Sequence, residues 1–587
     1  MQMTTPGSFF ATPGSLFALA LLLLASWGCD AGEPSAPPVD LSGSVHPALD
    51  AHTGEFERRV YEVTDGVYQA VGYGLANAIL VEGDDCAFVV DTLGSVEAAE
   101  SAREAFEEIT SKPIRALIYT HNHSDHIFGA RGFVPDGAVP VYAHETTQYY
   151  IDRVVSIIRP IISARSTRMF GNLLPAEGPD RFVNSGIGPF LEIGREGNRL
   201  GLIPPNRTFD DQLRSDICGV DVELVHAPGE TNDQIFVWLP ERRVLMPGDN
   251  VYKAFPNLYT IRGTLYRDVM EWVRSIDTMR ERRPAHLAPS HTRPVSGEAE
   301  IEDILRSYRD AIQFVHDQTI RAMNRGLTPD EIVETVNLPP HLGDHPYLQE
   351  FYGTVEWSVR SIFAGYLGWF DGDTATLSPA PPAERARGLA ELAGGEAALG
   401  AAARAALDAG RFAWAAELAS HVLRLSPGNT SARQVKAGAL RALGQGSVSP
   451  NGRNYYLSQA LELEGKVSVA EPQIDESVLS VVEAVPIGNF MAAMPVNLDP
   501  EKSADVELVA GFRFTDVDES YGILVRRGVA EFQRRFPDAA DVSLTTTSAV
   551  WKDIVLGRRN AVVALAGNDV EVEGSTLDLV GFLRLFR

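Results

Sequence analysis

The segment Tyr119-Thr120-His121-Asn122-His123-Ser124-Asp125-His126 constrains this chain more than any other. Three imidazoles and a carboxylate follow Ala116-Leu117-Ile118, an apolar run that reads as a strand. Side chains alternate along a strand, so His121 and His123 point the same way. Asp125 and His126 come next on the turning loop and reach a second point nearby. That spacing suits two metal ions side by side, and the chain reads as a binuclear metallohydrolase. Such a pair needs about four ligands per ion, some of them shared. Three further candidates each follow an apolar strand and can converge on the same sheet edge. They are Glu230 in Ala227-Pro228-Gly229-Glu230-Thr231, Asp249 in Pro247-Gly248-Asp249-Asn250, and His291 in Pro289-Ser290-His291.

At 587 residues the chain has room for two to four domains. Its formal net charge of -27 argues against nucleic acid as a partner. The same charge means that any anion site has to be built from local arginines. The three cysteines, Cys29, Cys86 and Cys218, show no thiolate metal spacing and exclude a disulfide framework. Residues 1–29 read as an export signal, with Leu16 to Ala25 as its apolar stretch. Cys29, followed by Asp30 and a Pro/Ser/Gly-rich stretch, resembles a bacterial lipoprotein signal; a plain signal peptide is the alternative, since Ser26 stands where Leu is preferred. The expected location is the bacterial periplasm or a membrane-anchored lipoprotein, touching the membrane only through a lipid anchor at Cys29. Residues 30–45 then form a flexible linker.

Residues 46–295 alternate strand-like and helix-like patterns, which implies an α/β domain with strands buried against helical layers. Expected strands are Val67–Val71, Ala78–Val81, Ala87–Val90, Ile114–Ile118, Val222–His226, Ile235–Leu239 and Val244–Met246, with a helix over Val96–Ile109. From 296 to 463 the pattern turns helical. Thr328-Pro329-Asp330-Glu331 carries the marks of a capped helix start. Glu396–Ala409, Phe412–Leu425 and Thr430–Leu443 read as short helices like a tetratricopeptide hairpin, either a dimer interface or a scaffold within one monomer. Residues 468–587 form a third unit without His or Cys. Leu479–Val485, Gly528–Phe532, Ser548–Val555 and Ser575–Phe586 look helical there. Val506–Phe514, Tyr521–Arg526, Val542–Thr547 and Val570–Glu573 look like strands. It reads as a packing domain or a module for apolar ligands.

His121-Asn122-His123-Ser124-Asp125-His126, Gly248-Asp249 and His291 resemble the metallo-β-lactamase superfamily. Most of that superfamily bears a histidine after the Pro-Gly turn, whereas this chain bears Glu230, as the alkylsulfatase branch does. Asn257-Leu258-Tyr259-Thr260-Ile261-Arg262-Gly263 is similar to the sulfate-binding segment of that branch. Gly365–Gly372 and Trp414–Ala419 resemble its dimerisation domain, and the C-terminal unit looks like its sterol-carrier-like domain. The resemblance implies an α/β metallo-β-lactamase αββα sandwich, then an α-helical dimerisation domain and a small α+β sterol-carrier-like domain. It also implies two Zn2+ per chain, a homodimer and a small amphipathic sulfate-ester substrate. By the same resemblance His121, His123 and Glu230 hold one ion, Asp125, His126 and His291 the other, and Asp249 bridges. Arg262 clamps the sulfate bidentately, Arg267 assists, and Tyr366 closes over the site.

The expected reaction is attack of metal-activated water on a sulfate ester held by arginine. Asp91, ending the strand before the cluster, is expected to accept from a ligand histidine, while His226 and His286 are expected to be structural. One segment departs from the branch: Asn184–Phe190 carries Pro189 and Phe190 where Gln and Thr usually face the sulfate. Two alternatives stay open on sequence alone. One is a metallohydrolase of another ester, a lactone or a β-lactam; the other is a catalytically decayed lipid- or surfactant-binding lipoprotein.

Overall fold

The structure is a computed structural model that describes residues 45–469, 479–560, 563–564, 567 and 569–586. The expected export signal, Cys29 and nearly all of the linker lie outside the described residues.

Two facing sheets form the catalytic region. In the first, seven strands run in chain order from Arg59–Thr64 through Val67–Val71, Ala78–Glu82, Ala87–Val90, Ile114–Ile118 and Val141–His144 to Arg207–Phe209. The first four pair antiparallel and the last three join in parallel. In the second, six strands run from Gln212–Ile217 to the short pair His286–Leu287 and Val295–Ser296. Strand alternation sorts the side chains. Phe88, Val90 and Ile118 turn inward onto Leu224, Ile235, Val237 and Met246 of the other sheet. Ala87, Val89 and Leu117 turn outward onto Ala99, Ala102 and Phe106 of the helix Val96–Glu107. On the far side Val225, Phe236 and Leu245 pack on Trp272 and Ile276 of Val269–Glu281 and on Ile304 and Tyr308 of Glu298–Met323. The result is the αββα sandwich.

A disulfide between Cys86 and Cys218 joins the two sheets, with Cα atoms 5.4 Å apart. The sequence excludes a disulfide framework but gives no sign of this single bridge. The two cysteines stand 132 residues apart in the chain, and only the facing of the sheets brings their turns together.

The helical region follows. The capped start at Thr328 is present, with its hydroxyl accepting from the Glu331 amide and Glu331 accepting from the Thr328 amide. Glu396–Asp408, Phe412–Leu425 and Thr430–Gly446 pack around Leu399, Ala403, Leu418, Val422 and Val435. The last unit holds a five-stranded sheet, with helices Ser548–Val555 and Thr576–Arg584. Here Gly528–Phe532, expected to be helical, is instead part of a hairpin strand, Val529–Gln533, paired with Glu519–Arg526. Arg527 and Gly528 both take positive φ, the tight-turn geometry that returns the chain along the preceding strand.

Candidate metal centre

The cluster sits where three chain segments leave the two sheets. After Ile114–Ile118 the backbone passes His121 and His123 and tightens into the single turn Ser124–Ile127, which carries Asp125 and His126. Asp249 lies on the turn Gly248–Asn250, just past Val244–Met246. Gly248 has a φ of +59°, and a Cβ there would stand 2.0 Å from Gln234 Nε2, so only glycine lets the strand end so sharply. His291 follows the strand His286–Leu287.

Two sets of donor atoms result. In one, His121, His123 and Asp249 place ligand atoms within 4.8 Å of one another; in the other, Asp125, His126 and His291 do the same. His121 Nε2 and His123 Nδ1 face each other at 2.9 Å. Asp249 lies between the sets, as a bridge requires. Its Oδ2 is 3.5 Å from His121 Nε2, and its Oδ1 is 3.4 Å from His126 Nε2 and 3.1 Å from His291 Nε2.

The second set is oriented from behind. His126 Nδ1 lies 2.7 Å from Asp91 Oδ2, which also accepts from the hydroxyls of Thr120 and Ser290. Asp91 therefore takes the expected position. His291 Nδ1 donates to the Leu75 carbonyl at 2.8 Å. These contacts leave Nε2 of both rings aimed inward. Burial opposes charge on His126, but Asp249, Asp125 and Asp91 outweigh it and push the imidazole well above its ordinary value. Burial likewise opposes ionisation of Asp249, yet His126 and His291 hold it well below the usual carboxylate range. Burial pulls His121 and His123 well down, helped by His126 beside the first and Arg262 beside the second, favouring the neutral, ligating form.

The residues fit divalent cations. His126 Nε2 and Asp249 Oδ1 are fully buried without a hydrogen-bond partner, which is costly unless a cation serves both. A mixed nitrogen and carboxylate donor set suits zinc.

Glu230 is in neither set. Its Oε1 lies 3.0 Å from Arg267 Nη1, and its Oε2 accepts from the Tyr252 hydroxyl at 3.2 Å. The grouping thus differs from the one the resemblance implies, with Asp249 in the place given to Glu230. Arg267 is only 2% exposed, and a buried guanidinium demands a carboxylate beside it. Burial pushes the Glu230 carboxyl up to about 7, against the pull of Arg267. Arg262 reaches the centre itself, with Nη2 2.9 Å from His123 Nε2. Among the described residues it meets no carboxylate in hydrogen-bond range. Tyr366 lies away from the centre, 53% exposed, with its hydroxyl 2.8 Å from His316 Nε2. Within one chain it does not close over the metals, because its helix Val355–Leu367 turns that end to solvent. His226 stacks on His144 and His286 pairs with Ser296. Phe190 stacks under Arg195 at 4.7 Å, and neither it nor Pro189 lines either of the two cavities at the centre.

A cavity of about 670 Å³ opens from His123, Asp125, Asp249 and Arg262, walled by Phe128, Ile151, Val154, Leu173, Leu191 and Val481. Much of that wall comes from the helical stretch 147–169, which the sequence reading left unassigned. Its signal is the apolar run Val154-Val155-Ser156-Ile157-Ile158, which forms a π-helical turn. Glu192, also missed, is fully buried and accepts from the amides of Leu75 and Gly94 at 3.1 and 3.2 Å. A Cβ on Gly74 would meet its Oε1 at 1.8 Å, so glycine makes room for it.

Comparison with known proteins covers most of the chain. Residues 71–291 match the metallo-beta-lactamase superfamily, 328–466 the alkyl sulfatase dimerisation family and 476–587 the alkyl sulfatase C-terminal family. A linear primary-alkylsulfatase from Pseudomonas sp. is 41% identical over 86% of this chain and 98% of its own length. The chain belongs to the alkylsulfatase family. An (R)-specific secondary-alkylsulfatase from Pseudomonas sp. is 30% identical over 93% of this chain and 83% of its own. The solved structure of the stereoselective inverting sec-alkylsulfatase Pisa1 from Pseudomonas sp. superposes with a TM-score of 0.86 at 29% identity, covering 92% of this chain and 87% of that one. Alkylsulfatase membership makes the chain a metal-dependent hydrolase of the metallo-β-lactamase fold.

Proposed function

We propose that this protein hydrolyses sulfate esters of small amphipathic alcohols at a binuclear zinc centre, with Arg262 orienting the sulfate group. The observation that carries the reading is Arg262 itself, a guanidinium without a carboxylate partner, placed beside a candidate metal ligand at the foot of an apolar cavity. An alkyl chain fits that cavity, and a sulfate suits the planar fork of the arginine.

Zinc would be held by the two sets described above, and when bound it supplies an acidic water and polarises oxygen. The ion pair of Glu230 with Arg267 changes the charge balance. With Glu230 neutralised, only Asp125 and Asp249 offset two divalent ions, so the centre draws an anionic substrate more strongly than a three-carboxylate site. Arg262 adds to that field and fixes the sulfate. Arg267, bonded to the Asn257 carbonyl and to Glu230, holds the segment that bears Arg262. The balanced reaction consumes one water and one ester and yields an alcohol and hydrogen sulfate, with a C–O or S–O bond broken.

Exposed Tyr366, Leu367, Trp369 and Leu392 lie within the segment matched to the dimerisation family, which supports a homodimer. The Cys86–Cys218 bridge supports an oxidising compartment and hence export. No helix among the described residues is long and apolar enough to cross a membrane.

The test is to measure metal content of the purified protein and sulfate release from a panel of primary and secondary alkyl sulfates. Two zinc ions per chain with turnover is the expected result. Two ions without sulfate release from any ester would sink the substrate, and substoichiometric metal would point to a decayed binding protein.

A further inference from the structure

Two cavities meet at Arg262. Beside the apolar one lies a second, of about 280 Å³, walled by Arg153, Arg262, Arg267, Tyr150, Asn232 and Tyr266. His123, Val154, Ile162 and Arg262 line both, so the scissile group would sit at their junction.

The two differ in chemistry. Hydrolysis yields products of opposite character, an alcohol with an apolar tail and a small anion of high charge. While the alcohol fills the larger cavity, the anion cannot pass it, and apolar walls strongly disfavour an ionised group without partners. The smaller cavity offers three guanidinium groups against one carboxylate, Glu230, which Arg267 already neutralises. Arg267 is buried and keeps Nε and Nη2 without a hydrogen-bond partner. Arg153 makes no hydrogen bond or ion pair among the described residues, although the chain as a whole carries a net charge of -27. A free cation in so acidic a protein marks a place kept for an anion. The rim residues Thr264, Leu265 and Tyr266 are exposed, so the cavity opens to solvent.

We infer that the smaller cavity is a separate outlet for inorganic sulfate, in which Arg153 takes the anion on from Arg262. This rests on the sulfate-ester reading above. It adds that the two products leave by different routes, and that Arg153 governs release of one of them.

The test titrates inorganic sulfate into the zinc-loaded enzyme and its Arg153→Gln variant by calorimetry, with and without saturating 1-decanol. Turnover of an alkyl sulfate by the wild type is measured in parallel. The expected result is that 1-decanol does not displace sulfate and that Arg153→Gln weakens sulfate binding about tenfold, as loss of a charge-assisted hydrogen bond should. Inhibition by 1-decanol and metal content stay as in the wild type. Displacement of sulfate by the alcohol, or sulfate binding unchanged in Arg153→Gln while the wild type turns over, overturns the outlet and leaves the hydrolase standing. Absence of turnover overturns the hydrolase, and the outlet with it.

Discussion

The ligand cluster and the arginine wall beside it are held in place by different means. His126 and His291 are each gripped from behind, by a carboxylate and by a main-chain carbonyl, on turns that leave buried strands. Arg262 lies on a connecting stretch and Arg153 ends the helix Thr147–Arg153, and neither has an acidic partner among the described residues. The first arrangement fixes geometry before anything binds; the second keeps charge available for something that comes and goes. Metal retention and substrate handling should therefore separate under mutation.

The largest effect is expected at Asp249, which touches both donor sets. Asp249→Ala should lose metal, measured by elemental analysis, and lower turnover on the order of 10³-fold or more. Retention of two ions would break the bridging assignment. Arg262→Ala should cut kcat/KM about 10²- to 10³-fold, the usual loss of one preorganised donor to a reacting anion, with metal content unchanged. Metal loss instead would merge the two regions. Glu192→Gln probes the frame behind the cluster through pH. Burial raises the Glu192 carboxyl from 4.5 to about 7 in the fold, so the native state binds that proton more tightly than the unfolded chain. The stability it contributes is fully present below 4.5 and is lost as pH rises through 7, by about 3 kcal/mol. Melting curves of the variant should show a flatter decline across that window, and an unchanged slope would remove Glu192 from the account. Asp91→Asn should weaken zinc affinity about 10- to 100-fold, read by competition with a chelator. The smallest effect is expected for Tyr366→Phe, below about 1 kcal/mol in activation free energy. A loss as large as that of Arg262→Ala would mean that Tyr366 reaches a reacting centre across a dimer.

The part of the site that follows strand alternation was readable beforehand. His121 and His123, and the terminal positions of Asp249 and His291, come from short-range pattern and proved to lie together. What depends on distant pairing was not readable. Glu230 reads as a ligand because it follows a strand as the others do, and the ion pair with Arg267 beside it carries no sign in the local sequence. Cys86 and Cys218 carry no local sign of each other. The stretch 147–169 was overlooked because its apolar residues serve a cavity as well as a core and so keep no simple helical period. Gly528–Phe532 failed for a related reason, since pairing with Glu519–Arg526 overrides a local preference.

Lys552 is nearly buried, and its ammonium donates to the carbonyls of Val482, Glu483 and Val485. That one side chain grips the helix Leu479–Ala484, whose Val481 and Val482 wall the apolar cavity. In evolutionary terms the C-terminal unit is no exchangeable cassette. A recombination that swapped it between relatives would remodel the chamber for the alcohol at the same stroke, so chain-length preference and C-terminal lineage should be inherited together.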